Sequence, residues 1–198
     1  TAGAVGDDVT VTASSPLTVL SPVTDSGGGD IILTATNDGG LDDDLTISAN
    51  VTATGGNGAI DLNAGTDLFV DTNAVVSTVG SGVITADADR AIAVSTAGAT
   101  IQSADGNITI NANAGPLTGN FDGISIDDGS ILSTNGAIAL TANSGDNAGN
   151  EGISLSNTAT IETTGNGNVT LNGTGVAGGD DGIIINNSEV NVAAGNMN

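Results

Sequence analysis

Asn135-Gly136-Ala137-Ile138-Ala139-Leu140-Thr141-Ala142 is the stretch on which the fold turns. A glycine followed by larger apolar residues at alternate positions describes a short strand, because successive side chains of a strand point to opposite faces. Ile138, Leu140 and Ala142 therefore share one face. The same pattern occurs at residues 30–35, 58–64 and 106–112, each time with Ile two residues before a Leu or a second Ile.

Working outward, a second pattern always follows the first: Leu45-Thr46-Ile47, Leu68-Phe69-Val70, Ile92-Ala93-Val94, Ile124-Ser125-Ile126, Ile153-Ser154-Leu155 and Ile183-Ile184-Ile185. A third aligns Val51, Val76, Ile101, Ile131, Ile161 and Val190, each followed by a turn rich in Gly or Asn. With Val9, Ile31, Ile60, Ile84, Ile108, Ile138, Val169 and Met197 as equivalent positions, the steps are 22, 29, 24, 24, 30, 31 and 28 residues, which defines seven coils.

Strands this short form no stable sheet alone, but they do so when each coil stacks on the next and pairs with it in parallel. The expected fold is all-β: a right-handed parallel β-helix, or β-solenoid, of about seven coils with three short strands per coil. Residues 1–198 read as a single repeat array, a rod on the order of 34 Å long at about 4.8 Å per coil. A β-sandwich also uses short alternating strands, but it would not repeat one three-part cycle seven times. Disorder fits the acidity and the glycine content and conflicts with the abundance of β-branched residues.

The formal charge is −22 and Arg90 is the one basic side chain. Nucleic acid and anionic membrane surfaces would be repelled, so neither is an expected partner. No stretch is long and apolar enough to span a bilayer, and the sequence opens at Thr1 without a signal-type segment, so any targeting signal is expected to have been removed or to lie outside it. The absence of Cys leaves the redox compartment undecided. Parallel β-helices also carry polysaccharide lyases and hydrolases, but with no Lys, His, Tyr or Trp and with Arg90 read as isolated, the chain is not expected to be an enzyme. Paired carboxylates for a hydrolase are present, as on any acidic surface.

Through segments of the type seen at Asn135 to Ala142, repeated over nearly the whole chain, the sequence resembles the β-solenoid arrays of filamentous-haemagglutinin-like and autotransporter-type bacterial adhesins. The resemblance implies a secreted protein at a bacterial cell surface or in the extracellular space. The expected function is structural: a stalk or filament subunit that assembles head to tail by coil stacking. An alternative is an adhesin segment that binds glycans or a surface receptor through its acidic loops. Because Val9 opens the first coil and Met197 would open another, the chain reads either as a piece of a longer array, paired with neighbouring repeats of its own polypeptide, or as a self-associating subunit.

Connections after the first pattern lengthen at residues 34–44, 111–123, 141–152 and 172–182. In-register stacking would place Asp44, Asp122, Glu151 and Asp181 at equivalent positions, with carboxylates at strand spacing. Such a column either faces water with raised pKa values or is bridged by a hard cation, calcium in a secreted protein. The metal candidates are Asp42, Asp43, Asp44, Asp122, Glu151, Asp180 and Asp181; no cofactor is required, and plain solvated loops are the competing reading. Asn50, Asn73, Asp127, Asn157 and Asn187 mark a sharp corner and read as structural. Sequons at Asn50, Asn107, Asn168, Asn172 and Asn186 are attributed to chance in an Asn/Thr-rich chain. An ice-binding face would need a regular threonine ladder, whereas one column runs Thr52, Ser77, Gln102, Leu132, Glu162, Asn191.

Overall fold

The computed structural model describes residues 6–14, 16–40, 42–115 and 117–198. Among them there is no helix, and all strands belong to three parallel sheets of seven strands each. The first sheet runs from Val9–Ala13 through Ile31–Ala35, Ile60–Ala64, Ile84–Ala88, Ile108–Ala112 and Ile138–Asn143 to Val169–Thr174. The second begins at Leu17–Val19 and ends at Ile183–Ile185; the third begins at Val23–Asp25 and ends at Glu189–Val192. Neighbours in each sheet are one coil apart in sequence, so the molecule is a parallel β-helix of seven coils with three strands per coil.

The equivalences drawn from the sequence are the Cα partners of the first sheet: Val9 with Ile31, Ile31 with Ile60, Ile60 with Ile84, Ile84 with Ile108, Ile108 with Ile138 and Ile138 with Val169. Met197 forms an isolated parallel bridge to Val169 and opens the next turn of the rod. The second and third patterns begin one coil earlier than the sequence reading had them, at Leu17 and Val23, which pair with Leu45 and Val51. These two strands are three residues each, and Pro16 and Pro22 immediately precede them, which obscured the alternation.

A one-coil offset in register brings like onto like, so the interior is a set of stacked columns. Ile31, Ile60, Ile84, Ile108 and Ile138 are fully buried, as are Leu45, Leu68, Ile92, Ile124 and Ile153 in the second sheet. Side chains between them point outward, and this explains why single Thr, Ser, Asn and Asp residues separate the aliphatics.

The corner that leads from the third sheet back to the first carries two further columns. Glycine stands two residues before the first-sheet strand in every coil after the first, at Gly29, Gly58, Gly82, Gly106, Gly136 and Gly167, and again at Gly195 before Met197; the first coil has Asp7 there. A Cβ on Gly106 or Gly136 would collide with the carbonyl oxygen of the glycine one coil earlier, so the close stacking of this corner admits no side chain. Beside it lie the buried hydroxyls of Thr78, Ser103 and Thr163, which donate to the carbonyls of Gly82, Gly106 and Gly167. In the first coil that inward position is held by Asp25, whose carboxylate accepts the amides of Gly27 and Gly28.

At the corner between second and third sheets, Asn73, Asn157 and Asn187 have positive φ, as a sharp turn there requires. In the coil of Asp127 the left-handed residue is the next one, Asp128, while Asp127 accepts hydrogen bonds from Ser156 and Asn157. Asn50 does not adopt positive φ; its side-chain carbonyl accepts the Val75 amide at 3.1 Å.

Candidate functional site

The corner between the first and second sheets holds most of the non-repetitive residues. Two coils turn it in two residues, Gly65-Thr66 and Asp89-Arg90. Four carry longer loops at residues 36–44, 113–123, 144–152 and 175–182. Backbone bonds continue the ladder through this corner: Thr66 donates to Asp43, Arg90 to Thr66, Gly123 to Glu151 and Gly152 to Asp181.

This register corrects the expected carboxylate column. Asp122, Glu151 and Asp181 do stack one coil apart, each separated from its strand by a glycine, Gly123, Gly152 or Gly182. Asp44 adjoins Leu45 directly, so it is out of step by one residue and pairs with Asp67, whose amide donates to the Asp44 carboxylate at 3.1 Å. Asp43 occupies the column position instead. The column therefore reads Asp43, Thr66, Arg90, Asp122, Glu151, Asp181, and the single cation of the chain stands within it.

Most of the candidate metal ligands already accept hydrogen bonds from the protein. Asp43, 1% exposed, receives the Asp38 amide at 3.0 Å. Asp122 receives the Glu151 amide at 2.9 Å. Asp180 receives the amides of Gly149 and Ala177 at 2.7 and 2.8 Å and staples one loop to the next. Asp42 and Asp181 are exposed. Among the described residues, no three His, Cys, Asp or Glu side chains converge in a way that could hold a metal ion.

Electrostatics follow from these contacts. Burial, then a hydrogen bond shared with Asp122 and the nearby charges of Asp122, Asp181 and Asp180, pushes the Glu151 carboxyl up. Burial also raises Asp44, reinforced by the charges of Asp67 and Asp42 and opposed by the Asp67 amide and by Arg90. At Asp180 the effect of burial is outweighed by the amides of Ala177, Gly149 and Asn150 and by the Ser144 hydroxyl, which hold its carboxyl low.

Arg90, read from the sequence as isolated, is engaged on two sides. Its Nε donates to Asp67 Oδ1 at 2.7 Å, and its Nη2 to Asp67 Oδ2. The guanidinium lies 5.9 Å from the centre of the Phe121 ring. The signal was present in the spacing: Arg90 follows Asp67 by 23 residues, one short of the 24-residue coil, so stacking sets the two side by side.

Because the two tight corners lie between the 36–44 and 113–123 loops, a groove of about 680 Å³ opens there. Thr66 and Arg90 are on its floor, Asn37 and Gly40 on one wall, Leu117 and Thr118 on the other. Asp89 stands at the floor's edge and accepts a hydrogen bond from the Asn37 side-chain Nδ2 at 2.9 Å.

Fold and site together define the chain as a parallel β-helix repeat protein with a loop-bearing corner. No family model matches the sequence, and neither a curated protein nor a solved structure matches it significantly.

Proposed function

We propose that the chain is a non-enzymatic structural segment of an extracellular β-solenoid, a stalk or filament element whose end coils pair with further coils. Those coils belong to the same polypeptide or to a second copy. The observation that carries this reading is the contrast between the middle of the rod and its ends. In the middle, every strand pairs on both sides and the aliphatic columns are fully buried. At the ends of the described rod, Val11 is 39% exposed, Ile185 51% and Met197 58%, and among the described residues no further strand covers the sheet edges beyond the bridge that Met197 makes to Val169. A coil stacked in register would cover both the apolar residues and the edges.

The remaining surface supports the same role. A net charge of −22 makes the sides of neighbouring rods repel, which confines association to the ends. The lack of Lys, His, Tyr and Trp, with the one Arg committed to Asp67, supports a non-catalytic reading. Placement at a bacterial surface rests on the resemblance to β-solenoid adhesins.

Electron microscopy of the chain across a concentration series tests the proposal. Rods that lengthen in steps of about 34 Å, and that revert to single rods when Ile185→Asp and Met197→Asp are combined, are the expected result. Single rods at every concentration, with the double variant indistinguishable in solubility and thermal stability, would count against end stacking.

A further inference from the structure

We propose that the groove above Arg90, between the 36–44 and 113–123 loops, binds a neutral oligosaccharide chain. The inference stands apart from end stacking, since it uses the side of the rod and not its ends.

Its dimensions come from the coil lengths. The two walls rise from coils three steps apart, about 14 Å between backbone planes, and the intervening coils are too short to fill the gap. The resulting volume of about 680 Å³ is of the size that holds a small ligand.

The lining is mixed in the way a polyhydroxyl ligand requires. Arg90, 31% exposed at its side chain, keeps guanidinium hydrogens free of Asp67 and offers them as donors. Asp89 offers a carboxylate acceptor, held in place by Asn37. Thr66 is 4% exposed, and its hydroxyl makes no hydrogen bond to another described residue. Leu117, 41% exposed, supplies an apolar surface for the C–H face of a sugar ring.

Charge selects against the other ligand classes. An anion approaches a chain of charge −22, and finds an Arg90 already matched by Asp67 and neighboured by Asp89. A metal cation finds one carboxylate on the lining, Asp89, too few to hold it. An extended peptide finds no open strand edge, because the Thr66 and Arg90 amides donate to Asp43 and Thr66 of the preceding coils. A neutral chain of hydroxyls, each both donor and acceptor, fits all three conditions.

The experiment is a titration of the ¹⁵N-labelled chain, followed by amide shifts, with short malto-, cello-, xylo- and manno-oligosaccharides. Oligogalacturonate and a Gly/Ser peptide serve as the acidic and peptidic probes, and light scattering reports end association in the same samples. The expected result is a saturable shift of the Thr66, Arg90 and Thr118 amides with at least one neutral series. Thr118→Trp, an exposed loop substitution that fills the groove, should weaken it at least about tenfold and leave the amide spectrum elsewhere unchanged. The proposal is overturned by no response to any neutral series at about 10 mM, by binding unaltered in T118W, or by a stronger response to the acidic or peptidic probe. None of these outcomes depends on whether the rods join end to end.

Discussion

Arg90 and Asp67 lie on adjacent coils, and the guanidinium spans the step with two donors to one carboxylate whose side chain is 8% exposed. Removing the cation leaves Asp67 with the Ala91 amide as its remaining donor, at 3.1 Å. Arg90→Ala is expected to cost about 1–2 kcal/mol, the lower part of the range for stranding a buried charged group, because Arg90 is itself partly exposed. Chemical denaturation measures this. Arg90→Lys should recover less than half of the loss, since an ammonium cannot reproduce the two-pronged contact.

Glu151 sits between Asp122 and Asp181 in the carboxylate column, and its pKa is raised. A carboxyl that holds its proton more tightly when folded makes the folded state relatively less stable as pH rises through the window between its ordinary and raised values. Above that window the penalty is constant. Glu151→Gln should therefore stabilise the chain at neutral pH by less than about 1 kcal/mol, given the exposure of the site. The gain should vanish below about pH 4, where both forms are uncharged. Thermal melts of the two proteins against pH provide the comparison.

Asp180 makes the opposite contribution. Its lowered pKa means that the stability it provides is present above the ordinary aspartate range and is lost as pH falls through the lowered value. Asp180→Asn should loosen the 144–152 and 175–182 loops without unfolding the rod. Amide exchange at Gly149 and Ala177, whose hydrogens it accepts, should quicken at neutral pH by more than exchange in the strands.

Gly136 has no room for a side chain, since a Cβ would meet the Gly106 carbonyl oxygen. Gly136→Ala should cost about 3 kcal/mol or more, because the obstacle is backbone and cannot turn aside. Gly178, with open space around it and no positive φ, provides a contrast in which neither packing nor backbone strain is at stake. The midpoint of denaturation distinguishes the two.

Leu62 is fully buried in the central columns. Leu62→Ala should destabilise by about 2–5 kcal/mol through lost burial and the cavity it leaves. Ser103→Ala, which removes the hydroxyl clasp on Gly106, should cost about 1–2 kcal/mol. Equilibrium unfolding of the two variants orders them.

Periodicity alone determined the architecture of this protein. Alternation at Ile138, Leu140 and Ala142 and its return at each coil fixed the first-sheet strands, the parallel pairing and the register from Val9 to Met197, because stacking like on like is the arrangement that buries the aliphatic columns; the opening strands at Leu17 and Val23 were not legible. The glycine two residues before the first-sheet strand of each later coil was visible too, although its reason, a carbonyl one coil away, lies in the stacking. What the tertiary structure alone decided lies in the unequal corners. A single inserted glycine moves Asp122, Glu151 and Asp181 one position from Asp44, and alternation cannot count residues in a loop. The Arg90–Asp67 contact and the groove depend on two short corners lying between two long ones. That juxtaposition arises only when coils of different length are stacked at a common spacing, so it belongs to the rod and to no segment of the sequence.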